Sequence, residues 1–154
     1  MKKLLSTLLL LVVVLQLHAQ GTADFTVNTA EGVAISYKIL TGTEKRLDAS
    51  VNEVGVLGQI NSPTTDVIIP STVTYGGVTY TVSRLINITN SQLKSLTFPP
   101  TIHALEHCGE IEVKELHIPA TITKLEAGAL YQALIDEVWF PATGLKTLDD
   151  NWSF

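Results

Sequence analysis

Three segments of this 154-residue chain share one unit: Leu96-Thr97-Phe98-Pro99, Leu116-His117-Ile118-Pro119 and Val138-Trp139-Phe140-Pro141, at spacings of 20 and 22 residues. An internal repeat constrains the fold more than composition does, because one 20-residue unit cannot bury its apolar side alone and must stack on its neighbours. The register extends on both sides of the unit. Leu93, Val113 and Ile135 stand three positions before it, and Ile102 with Leu105, Ile122 with Leu125, and Leu145 with Leu148 follow the prolines. An earlier, disguised copy is Val67-Ile68-Ile69-Pro70, followed by Val73 and Leu85 with nine extra residues between Pro70 and Leu85. Removing those nine brings the Pro70 to Pro99 spacing from 29 to 20. The insert, residues 73–82, reads as a hairpin, since Val73-Thr74-Tyr75 and Val78-Thr79-Tyr80-Thr81-Val82 alternate on either side of Gly76-Gly77.

The apolar-x-apolar piece is expected to be a short strand with two side chains inward and one outward, closed by a proline that cannot donate the next ladder hydrogen bond. Stacked strands would then form one inward column of Leu96, Leu116 and Val138 and a second of Phe98, Ile118 and Phe140. At roughly 1.5–3 kcal/mol per fully buried side chain, those six contribute on the order of 10–15 kcal/mol before chain entropy is subtracted. Upstream, Phe25-Thr26-Val27, a turn at Glu31-Gly32, and an alternating run through Val33, Ile35, Tyr37 and Ile39 read as a hairpin. The expected organisation is a β cap region over 20–62, repeats over 63–148 and a tail over 149–154. In that tail Trp152 and Phe154 either fold over the last unit or belong to a longer array.

With those residues in hand, the chain resembles the BspA-like leucine-rich repeats of bacterial surface proteins. The segment from Leu116 to Pro119, with Ile122, Leu125 and Glu126-Ala127-Gly128-Ala129-Leu130-Tyr131-Gln132-Ala133, is similar to one complete unit of that family. Leu130 stands where the family usually has Phe, and Ala133 where it often has Cys. The resemblance covers residues 67–148. It implies a mainly β fold with short helical turns, a short leucine-rich-repeat solenoid of about four rungs with an N-terminal β-hairpin cap. It also implies binding or adhesion at the cell surface, with no catalytic set to carry over.

The first residues point to the same compartment. Lys2 and Lys3 precede an aliphatic run over 4–17, and Leu17-His18-Ala19 offers a small residue for cleavage, so residues 1–19 read as a secretory signal peptide. Ala23 is a second possible cleavage position. A retained anchor would need roughly 20 apolar residues. The expectation is bacterial export, to a secreted, periplasmic or cell-surface location, without membrane insertion after signal removal. Cys108 is the one cysteine, so no internal disulfide is available. Without the leader the balance changes from ten basic and fifteen acidic side chains to eight and fifteen, a formal charge of −7. That excess argues against a nucleic-acid partner.

The outward strand positions in register are Ile68, Thr97, His117 and Trp139, flanked by Asp66, Ser95, Glu115 and Glu137. An outward tryptophan beside carboxylates is the chemistry of an interface anchor. The binding residues expected are therefore Thr97, His117, Trp139, Glu115 and Glu137, on a face taking a protein or glycan. The plainer reading is a Trp139 covered by the tail or simply half exposed on an edge strand, with a merely solvated acidic flank. His103, His107 and Cys108 look like metal ligands in sequence, with Glu110 and His117 nearby. Zinc needs three or four convergent ligands, whereas the repeat places His117 and His103 on different walls. Adjacent His107 and Cys108 lack the separate base and orienting group of a thiol nucleophile, and Glu110 and Glu112 suggest no pocket that would split their pKa values. The expected function is non-catalytic, with no cofactor. The alternatives are a structural or truncated piece of a larger repeat adhesin, and a small metal-assisted hydrolase.

Overall fold

The computed structural model describes residues 22–89, 91–105, 108–125, 128–143 and 147–148. The leader, His107, Leu145 and the tail with Trp152 and Phe154 lie outside the described residues, as do the sequence expectations placed on them.

Strands β1 (Phe25–Asn28), β2 (Ala34–Ile39), β3 (Glu53–Gly58), β5 (Thr72–Tyr75) and β6 (Val78–Ile88) form a five-stranded sheet in the order β1-β2-β3-β6-β5. Its first hairpin sets Phe25 opposite Tyr37, and its second sets Tyr75 opposite Val78. Gly76 and Gly77 close the second hairpin with φ of 57° and 80°, the doubly positive geometry of a type I′ turn that glycine adopts without strain. A second, four-stranded sheet runs β11-β9-β7-β4, all parallel, from β4 (Ser62–Ile68), β7 (Ser91–Thr97), β9 (Ile111–His117) and β11 (Leu134–Trp139). A third has only two-residue strands, β8 (Ala104–Leu105), β10 (Lys124–Leu125) and β12 (Thr147–Leu148), again parallel.

This corrects the expectation of a four-rung leucine-rich-repeat solenoid with short helical turns and a hairpin cap. The fold is mainly β and barrel-like, and its sheets contribute to one continuous core. No α-helix occurs among the described residues, only a 3₁₀ turn at Gly42–Glu44. The reason lies in the connections. Glu110 and Gln132 take positive φ of 56°, one residue before β9 and two before β11, a conformation that ends any helix. Between Gly128 and Ala133 the chain spends its hydrogen bonds on successive turns, Tyr131 N to Gly128 O and Ala133 N to Leu130 O. Nor are the cap region and the 73–82 insert separate pieces. The long strand β6 begins in the insert hairpin and continues to Ile88, pairing in parallel with β3.

Strand to strand, the repeat positions face one another: Val67, Leu96, Leu116 and Val138 are in register, and so are Leu93, Val113 and Ile135. Leu96, Leu116, Phe98 and Ile118 are buried. The last strand departs from the expected columns, because Val138 is only partly buried and Phe140 is half exposed. Thr101 and Thr121, each two residues after a repeat proline, donate to the carbonyls of Val82 (2.5 Å) and Ile102 (2.9 Å), each 19 residues earlier in the chain.

Candidate functional site

The outward face of the four-stranded sheet carries the row Ile68, Thr97, His117, Trp139, paired residue to residue across all four strands. With strands about 4.8 Å apart, the row spans roughly 14 Å. Its ends are apolar and open, Ile68 being 55% and Trp139 54% exposed. Thr97 and His117 between them are half-buried. The imidazole of His117 and the indole of Trp139 lie nearly parallel, 5° apart with centroids at 6.0 Å. Trp139 is thus half exposed on a strand that has no described neighbour beyond it, which is one form of the plainer reading.

The flanking row, Asp66, Ser95, Glu115, Glu137, is also in register. Along it the carboxylates are progressively less engaged. Asp66 accepts from the Ser95 hydroxyl at 2.7 Å and from Lys94 Nζ at 3.1 Å, and these bonds, Ser95 first, hold its carboxyl below the usual range. Glu115 Oε2 lies 3.5 Å from His117 Nε2. Glu137 is exposed and makes no ion pair with any described residue. The structure therefore brings together all five sequence-predicted residues, Thr97, His117, Trp139, Glu115 and Glu137, on one face.

A third outward row, which the proline-adjacent unit does not include, is formed by Gln92, Glu112 and Leu134, also in register, with Gln92 Nε2 donating to Glu112 Oε2 at 3.3 Å. It borders a cleft of about 400 Å³ on the sheet face, bounded by Pro63, Lys114 and Asp136, and another of about 530 Å³ at the start of the strands, bounded by Asn61, Glu110 and Gln132. The signal was present, since each of these residues directly precedes an inward repeat position, Leu93, Val113 or Ile135.

The residues that look like metal ligands in sequence are not gathered. His103 is exposed, His117 lies on the sheet face, and Cys108 is fully buried with its thiol pushed up by that burial. Among the described residues no three His, Cys, Asp or Glu side chains converge as a metal site would require. Glu110 and Glu112 flank a strand start, and both are exposed. No helix of the described residues is long and apolar enough to cross a membrane.

No protein-family model, curated protein or solved structure matches the chain.

Proposed function

We propose that this chain is an exported, non-catalytic binding module that takes a protein or glycan on the outward face of its four-stranded sheet, in the periplasm or at the cell surface. The observation that carries the reading is the row from Ile68 to Trp139: two half-exposed apolar anchors, joined in register by Thr97 and His117, with carboxylates alongside. A rigid sheet face presenting an aromatic anchor and a polar flank is suited to recognition, because little side-chain entropy is lost on contact. The leader over 1–19 and the resemblance of the repeat units to BspA-like surface proteins support the same role and location. The clefts beside Gln92 and Glu112 supply amide and carboxylate groups for orientation.

The test is a printed array of glycans and purified extracellular-matrix proteins probed with the mature chain and with Trp139→Ala. A ligand retained by the parent and lost by at least about tenfold in the variant is expected of an anchor residue. Equal binding by the two proteins, or none by either, refutes the reading.

A further inference from the structure

The outer edge of β11 is open among the described residues: the strand pairs with β9 on one side and with no described strand on the other. Edge strands of soluble proteins are ordinarily blunted by proline, by charged side chains, lysine above all, or by extreme shortness. The opposite edge, β4, follows that rule, with Pro63 in the strand and Asp66 tied to Ser95 and Lys94. β11 follows it only through two acids, Asp136 and Glu137. It has six residues, no proline and no lysine. Leu134 at one end is 69% exposed and Trp139 at the other 54%. Its inner positions, Ile135 and Val138, are only partly buried, whereas Val113 and Leu116 in the same register on β9 are fully so. Between them Asp136 and Glu137 are exposed and make no ion pair with any described residue.

We propose that this edge receives a further strand from a partner polypeptide, an extended segment with basic residues opposite Asp136 and Glu137 and apolar residues opposite Ile135 and Val138. The main chain of such a segment would satisfy the amides and carbonyls of β11 that have no partner among the described residues, and its side chains would read the alternation of charge and apolar surface. Charge decides against a second copy of this chain. Continuing the parallel register into another copy's β4 sets Glu137 beside Asp66, and a two-fold antiparallel pairing of β11 with itself sets Asp136 beside Glu137 twice. Like charges directly opposite on neighbouring strands are destabilising, and opposite charges are favourable.

The proposal rests on the reading of the chain as a binding module and adds a partner class and a mode of docking. It is tested with the full mature chain and two labelled ten-residue peptides, one with the core Val-Lys-Lys-Val and one with Val-Glu-Glu-Val, by fluorescence anisotropy and by amide hydrogen exchange over residues 134–139. The lysine peptide is expected to bind and to slow exchange of the outward amides of β11, and the glutamate peptide to bind at least about tenfold more weakly. Asp136→Lys with Glu137→Lys should invert that preference, and Asp136→Asn with Glu137→Gln should abolish it in a chain of unchanged thermal stability. Equal binding of the two peptides overturns the proposal. So do outward amides already protected in the free chain, the mark of an edge occupied by the chain's own residues or, if protection rises with concentration, by a second copy. Array binding that depends on Trp139 while neither peptide binds would refute the edge proposal alone and leave the outward-face reading standing.

Discussion

The Ser83 hydroxyl donates to Glu53 Oε2 at 2.6 Å, linking β6 to β3, its parallel neighbour in the five-stranded sheet. The other bonds to that carboxylate come from a loop: the amide of Arg46 reaches Oε2 at 2.8 Å, and that of Leu47 reaches Oε1 at 3.0 Å. Glu53 is the one buried acid among the described residues, and its role is structural. It satisfies two loop amides and so holds the segment between β2 and β3 against the sheet.

A pH dependence follows from that arrangement. Burial alone would raise the Glu53 carboxyl, but the hydrogen bonds from Ser83, Arg46 and Leu47 outweigh it and hold the group below its ordinary value. A carboxyl lowered in the folded state stabilises the protein at pH values above its unfolded pKa, about 4.3. That contribution is lost as pH falls through the folded value. Glu53→Gln is therefore expected to cost roughly 1–3 kcal/mol at neutral pH, with the gap to the parent narrowing below about pH 4. Urea denaturation at pH 7 and pH 3 measures it; a gap of the same size at both would assign the loss to packing.

Two glycines should respond unequally to alanine. A Cβ at Gly109 would stand 2.7 Å from the Tyr131 carbonyl oxygen, a backbone atom fixed by the hydrogen bond it accepts from Glu110 N. At Gly55 the added carbon would meet Ile86 Cδ1 and Cγ1 at 2.6 Å, but that side chain is half-buried and can change rotamer. Gly109→Ala is expected to destabilise by about 1–3 kcal/mol through backbone displacement. Gly55→Ala should cost about 0.5–1.5 kcal/mol, the scale of a strained rotamer. The order of the two midpoints in thermal denaturation checks the argument, and Gly55→Ala melting below Gly109→Ala would contradict it.

What was legible in the chain is local periodicity. The alternation around Gly76-Gly77 specifies a hairpin because only that turn matches the twist of two such strands. The 20- and 22-residue spacings specify which residues pair, so that Leu96 faces Leu116 and Leu116 faces Val138. The overall architecture was not legible, for two reasons. β6 belongs to a hairpin in its first half and to a parallel pair in its second, and no window shorter than the whole strand shows both. The connections carry a helix-compatible sequence around Ala129 and Leu130, but positive φ at Glu110 and Gln132 diverts them into turns, and a non-glycine residue gives little warning of that conformation. The hydroxyls of Thr101 and Thr121 were visible as a Pro-x-Thr recurrence. Their bonds to Val82 and Ile102 join residues 19 positions apart, a relation that depends on the folded arrangement of the strands. At the candidate site, the row from Thr97 to Trp139 follows directly from the repeat, and the half-exposure of Trp139 is that of a last strand, one of the two states the sequence left open for it.

Cys108 offers the sharpest check on the absence of thiol chemistry proposed for this chain. Its side chain is fully buried within the core that includes Leu105, Ala129 and Leu130. Burial raises the thiol well above its ordinary value, because an apolar surrounding disfavours the thiolate that would attack an electrophile or bind a metal. The native protein is therefore expected to resist iodoacetamide at pH 8 for hours and to be labelled stoichiometrically in 6 M guanidinium, as followed by intact mass. Cys108→Ala should cost about 1–2 kcal/mol of stability as a small cavity forms, with binding to any array ligand unchanged. Rapid labelling of the folded chain at neutral pH would place the thiol in contact with solvent and return the nucleophile reading to consideration.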